Sequence, residues 1–130
     1  AVLFAAAPAG AATEHFTTTL KGADEVPANT TTGTGKVTAT LDTASKSFTY
    51  EVTYSGLTGP ATMAHFHGPA APGVNAPPVV PVPKSALANP MKGSATLTAA
   101  QIADLEAGKW YFNIHTAAHP GGEIRGQLAH

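Results

Sequence analysis

From His15 onward, apolar and polar side chains alternate in short runs separated by Gly and Pro. A period of two places alternate side chains on opposite faces of a strand, so each run reads as a half-buried β-strand. Phe16, Thr18 and Leu20 share one face of the run 15–21, and Val37, Ala39 and Leu41 share one face of 36–41. Phe48, Tyr50, Val52 and Tyr54 are in register across 47–54, and the turn Asp42–Lys46 joins the last two runs into a hairpin. Gly59-Pro60 opens a fourth run, 61–67. Val79-Val80-Pro81-Val82 is an edge strand, because proline cannot donate to a central ladder. Further runs cover 92–97, 109–116 and 122–128. The segment 98–108 alone carries a helical pattern, with Thr98 to cap it, Gly108 to end it, and Ile102 and Leu105 toward the core.

In the last two strands the apolar sets Trp110, Phe112, Ile114 and Ile124, Gly126, Leu128 face the core. Tyr111, Asn113 and His115, with Glu123, Arg125 and Gln127, then face the other way. The pattern predicts an all-β fold: a Greek-key-like antiparallel β-sandwich of about eight strands with one short helix near residues 99–107.

Composition narrows the function. A chain of 130 residues suits a single domain, placed at 12–130. Charged residues are only 12% of the chain, net charge is −1, and the sole arginine is Arg125, which argues against a nucleic-acid partner. The absence of cysteine excludes disulfides, thiolate zinc sites, iron–sulfur ligation and the thiolate-containing blue-copper centre. Residues 1–11 are apolar and rich in small side chains, with Ala9-Gly10-Ala11 fitting a small-x-small cleavage site. They are expected to be the remnant of a signal peptide, and the protein to be periplasmic or extracellular; the run is too short to span a bilayer. An Ala-rich tail is the alternative.

Four of the six histidines fall in two short segments, His65-Phe66-His67 and His115-Thr116-Ala117-Ala118-His119. His65 and His67, two apart on a strand, project from one face. Imidazole is the commonest protein metal ligand, and His115 on another strand supplies a third donor. His119 either closes the site as a fourth ligand or is an exposed loop residue. Met63 shares the face of His65 and offers a weak thioether, whereas His15 and His130 lie near the ends of the chain. Arg125 is either a strand arginine bridging Glu123 and backbone or a catalytic group attracting a small anion. Glu25 either stabilises its turn or orients a ligand histidine from behind. Neutral imidazoles suit copper, with zinc as the alternative; Glu123 is the nearest candidate base for a zinc hydrolase, or a partner of Arg125 or solvent.

Several motifs together resemble the CHRD domain, first described in chordin and found in many secreted microbial proteins. They are Leu20…Glu25-Val26-Pro27, His65-Phe66-His67-Gly68, Leu97-Thr98…Leu105-Glu106-Ala107-Gly108, and the closing Tyr111-Phe112-Asn113-Ile114-His115-Thr116…Pro120-Gly121-Gly122-Glu123-Ile124-Arg125-Gly126-Gln127-Leu128. The loop Gly73-Val74-Asn75-Ala76-Pro77 departs from the family's usual Asn-Gly. The resemblance implies the β fold, and some bacterial members are associated with copper. A looser likeness to copper–zinc superoxide dismutase is one of architecture and ligand type.

Three functions follow as expectations. The first is an exported copper-binding protein that buffers, delivers or uses the ion. The second is a copper-dependent dismutase-like oxidoreductase acting on a small anion or dioxygen species. The third is a non-catalytic interaction module using the Pro-rich loop 68–83.

Overall fold

The structure, a computed structural model, describes residues 12–130. The expected signal remnant at 1–11 lies outside the described residues. Eight strands form, β1 Thr13–Lys21, β2 Thr34–Asp42, β3 Ser47–Ser55, β4 Ala61–His67, β5 Pro78–Pro81, β6 Met91–Thr96, β7 Tyr111–Thr116 and β8 Ile124–Gln127. One helix, α1 Ala99–Glu106, separates β6 from β7. Thr98 and Gln101 make a reciprocal capping box at its start, and Leu105 is buried.

The strands follow the order β5-β4-β7-β8-β1-β2-β3-β6, antiparallel throughout. β1, β2 and β3 are paired along their full lengths. β8 and β1 meet only at Lys21↔Arg125, supplemented by a bridge between Thr17 and Ala129. That short seam divides the sheet into two four-stranded halves. Gly126 lies at the seam, where a Cβ would strike the Thr19 carbonyl of β1.

The halves close on each other around aromatic rings. Phe66 of β4 lies 5.1 Å from Phe48 and 5.0 Å from Tyr50, both on β3, although β3 and β4 are far apart in the sheet order. The sheet therefore curls into a nearly closed barrel, with Trp110 and Phe112 completing the cluster beside Phe66. Each such buried ring stabilises the fold by roughly 1.5–3 kcal/mol. β5, with its two prolines, lies at an edge as the proline rule requires.

β7 departs from the expected alternation, because all six of its residues are buried. Its apolar face joins the core. Its polar face, which the sequence reading left uncovered, lies at its Tyr111 end beneath the loop 68–77. Ala70 N–H donates to the Lys109 carbonyl, Gln127 donates to the Ala70 carbonyl, and Arg125 donates to the Val74 carbonyl and the Asn75 side chain. The loop is therefore a second roof over β7 and β8, with Gly68 and Ala70 buried beneath it and 71–75 exposed on its outside.

Candidate metal centre

The register of β4 against β7 builds the site. Met63 faces His115, His65 faces Asn113 and His67 faces Tyr111. One face of this strand pair thus carries three imidazoles, a carboxamide and a phenol ring. Nitrogens of His65, His67 and His115 all lie within 4.8 Å of one another. The rings of His65 and His67 are 5.2 Å apart, and those of His65 and His115 are 5.1 Å apart.

Backbone carbonyls fix two of the tautomers. His67 Nδ1 lies 2.9 Å from the Ala76 carbonyl, and His115 Nδ1 lies 2.8 Å from the Pro120 carbonyl. A carbonyl only accepts, so both Nδ1 atoms carry the proton and both Nε2 atoms present lone pairs. His115 Nε2 is buried with no hydrogen-bond partner, as is His65 Nδ1. Buried nitrogens without partners are costly in a folded protein unless something else satisfies them. A metal ion does so, and carbonyl-anchored imidazoles are the usual way of orienting metal ligands.

Electrostatics favour the neutral form of His65 and His67. Burial, followed by the neighbouring His115 and His67, lowers the His65 pKa from 6.5 to about 4. Burial also lowers that of His67; the bonds to Ala76 and Asn113 oppose the shift, and His115 and Arg125 add to it. Neutral imidazole is the form that ligates. His65 is the half-buried member and Met63 beside it is exposed, so the cluster meets solvent on that side.

The other sequence candidates lie elsewhere. His119 stands outside the triad, lining a separate hollow with Val26, Pro27 and Asn29. His15 and His130 line a hollow along β1–β3, and the His130 ring lies tilted against Phe16 with centroids 4.5 Å apart. Arg125, 1% exposed, is committed to Asn75 at 2.9 Å and to the Val74 carbonyl at 2.7 Å, with its guanidinium 3.5 Å from the Tyr111 ring centre. Its two directed hydrogen bonds hold the loop roof down.

Glu123 is neither a base beside the imidazoles nor the partner of Arg125. Fully buried, it accepts hydrogen bonds from Thr31, Thr58 and Thr116 and from the Thr58 backbone. Burial is the strongest single influence and opposes its ionisation, but those bonds together hold the carboxyl below the usual range. Glu25 lies against Asn113, one side chain removed from His67. Burial raises its carboxyl to about 7, against the opposing effects of Asn113 and Arg125.

Sequence reasoning missed Asn113 and Tyr111 as parts of the site. Asn113 Oδ1 lies 2.8 Å from His67 Nε2, and the Tyr111 ring is stacked on His67. The available signal was the spacing Tyr111-x-Asn113-x-His115, which puts all three on one strand face.

A small, nearly closed antiparallel β-domain with a histidine triad on the face turned away from the core is the class that fold and site define. The family model for the CHRD domain matches residues 16–128, and the chain belongs to that family. Neither curated proteins nor solved structures give a match. Among the described residues no helix is long and apolar enough to cross a membrane.

Proposed function

We propose that this protein is an exported copper-binding protein whose ion is held by His65, His67 and His115, for buffering or delivery. The observation that supports it most is the pairing of fixed tautomers with convergence. Two Nδ1–H groups are spent on backbone carbonyls, and the triad's nitrogens gather within 4.8 Å. Uncharged nitrogen donors without a thiolate favour copper(II) over zinc by the general affinity order. Export to the periplasm or outside the cell fits the apolar, small-residue start of the chain. A bound copper ion would supply Lewis acidity and redox cycling; the protein's share is to hold three neutral rings in place and to leave the His65 side open.

Binding rather than dismutation is favoured by Arg125, whose directed hydrogen bonds go to the roof. The test is copper(II) titration followed by electron paramagnetic resonance. One copper per chain with nitrogen hyperfine structure is expected, lost in the His65→Ala/His67→Ala double variant. Equal affinity in that variant, or tighter binding of zinc than of copper, would defeat the reading. Copper-loaded protein that accelerates superoxide decay beyond a buffer control would instead favour the enzyme.

A further inference from the structure

We propose that the side-chain oxygen of Asn113 is a fourth ligand of the histidine site, an inference that rests on the metal-binding reading above. Three observations carry it. The first is the direction of protons. His67 Nδ1 is spent on the Ala76 carbonyl, so Nε2 of the neutral ring carries a lone pair. That lone pair points at Asn113 Oδ1, 2.8 Å away. Two acceptors at this distance repel unless a proton or a cation lies between them.

The second observation concerns the orientation of the amide. Asn113 turns its NH₂ toward the Glu25 carboxyl, whose ionised form it favours, and Glu25 Oε2 is buried with no hydrogen-bond partner of its own. Gly122 makes this approach possible: its φ is +125°, and a Cβ there would collide with both Glu25 and Asn113 Nδ2, the latter at 2.7 Å. With Nδ2 turned toward Glu25, Oδ1 faces the imidazoles. Turning the amide over would point its oxygen at the Glu25 carboxyl, which repels it whenever that group is ionised.

The third observation is register. Asn113 stands directly opposite His65 on the neighbouring strand and two residues before His115. Its oxygen therefore belongs to the face that carries all three rings. Neutral oxygen beside neutral nitrogens matches the donor preferences of copper(II) and zinc. Glu25 acts as a positioning residue, aiming the carboxamide without touching the metal.

The experiment is copper(II) titration of the wild type and of Asn113→Ala, Asn113→Asp and Glu25→Gln, with affinity and electron paramagnetic resonance parameters read together. Asn113→Ala is expected to bind at least tenfold more weakly and with an altered spectrum. Asn113→Asp, measured also in the Glu25→Gln background to remove the like-charge contact, keeps an oxygen donor and is expected to bind at least as tightly as wild type. Glu25→Gln should weaken binding a few-fold, about the lower end of what outer partners of ligands contribute. If Asn113 only blocks His67 and must be displaced, the order inverts. Asn113→Ala then binds equally or more tightly with an unchanged spectrum, and Asn113→Asp, gripping a protonated His67, binds more weakly. Should Asn113→Ala fail to fold, the near-isosteric Asp variant decides between the two. A wild type that loses copper on His65→Ala/His67→Ala but ignores every change at Asn113 overturns this inference alone. A wild type that binds no copper overturns the metal reading and this inference together.

Discussion

The imidazole of His67 lies parallel to the ring of Tyr111, with centroids 4.6 Å and planes 4° apart. The guanidinium of Arg125 packs over the same phenol ring, 3.5 Å from its centre. β4 approaches Tyr111 from one side and β8 from the other, so the ring is held between a candidate ligand and the residue that pins the roof. Tyr111 also exchanges hydrogen bonds with Ala76, the residue whose carbonyl orients His67. The orientation of His67 is thus tied to the loop.

Replacing Arg125 by methionine tests this coupling. The change removes two directed hydrogen bonds and leaves the Val74 carbonyl and Asn75 oxygen unpaired. Metal-free protein should lose about 2–4 kcal/mol of stability in denaturant titrations. Copper affinity should fall as well, about 10–100-fold, through misplacement of His67 rather than loss of a ligand. A variant with full stability and affinity, slowed only toward a small anion, would instead restore Arg125 as an anion-steering group.

His115 and His119 make a matched pair, because they lie four residues apart and only His115 enters the triad. His115→Ala should lower copper affinity by more than about 100-fold, beyond the loss expected for an outer partner. His119→Ala should leave affinity within about twofold, since its imidazole lines a hollow with Val26 and Pro27. Isothermal titration of both variants decides the matter, and comparable losses would show that the loop carrying His119 closes over the ion.

Most of the fold was legible because most strands bury one face only. Phe48, Tyr50 and Val52 alternate with Thr49, Glu51 and Thr53, and the structure pairs them as the period of two requires. β7 resisted that reading. Tyr111, Asn113 and His115 follow the polar register yet are buried, because irregular segments cover them: Ala76 of the loop 68–77 at Tyr111, Glu25 at Asn113 and Pro120 at His115. A Pro/Gly-rich loop has no period, so nothing in its sequence shows which face it will cover. The proximity of His65 to His67 is local and readable from their spacing. The arrival of His115 depends on the β4/β7 register, a non-local pairing. Asn113 went unnoticed because an amide in a strand signals no chemistry until its neighbours are known.

Two groups give opposing pH dependences to the metal-free protein. His65 titrates near 4 when folded and near 6.5 when free, so its folded environment favours the neutral ring. That stability is full above pH 6.5 and is lost as pH falls toward 4. Glu25 is raised from 4.5 to about 7, so its environment favours the protonated acid. That contribution is full below pH 4.5 and is lost as pH rises through 7. Glu25→Gln should therefore gain stability relative to wild type as pH rises from 4.5 to 7, and level off above. His65→Gln should gain relative to wild type in the opposite direction, as pH falls from 6.5 to 4. Urea midpoints across pH 4–8 read both slopes, and a flat difference for either variant would show that the group titrates normally when folded.

Glu123 offers a stability test away from the metal. Its carboxylate gathers Thr31 from the β1–β2 connector, Thr58 from the β3–β4 connector and Thr116 at the end of β7. These bonds are short, with Thr58 Oγ1 at 2.6 Å and both Thr31 and Thr116 Oγ1 at 2.7 Å. Hydrogen bonds to a charged acceptor contribute about 1.5–3 kcal/mol each, and their effects within one network do not add. Glu123→Ala leaves three hydroxyls and an amide around a buried gap and should cost about 3–5 kcal/mol. Glu123→Gln keeps the volume but loses the charge, and its NH₂ would face hydroxyls that now donate, so it should cost less, about 1–3 kcal/mol. Copper affinity of whichever variant remains folded should stay within about threefold of wild type, because Glu123 touches none of the three imidazoles. A Glu123→Gln protein of normal stability that loses copper would mean that the carboxylate reaches the metal, and would return it to the role of a base beside the site.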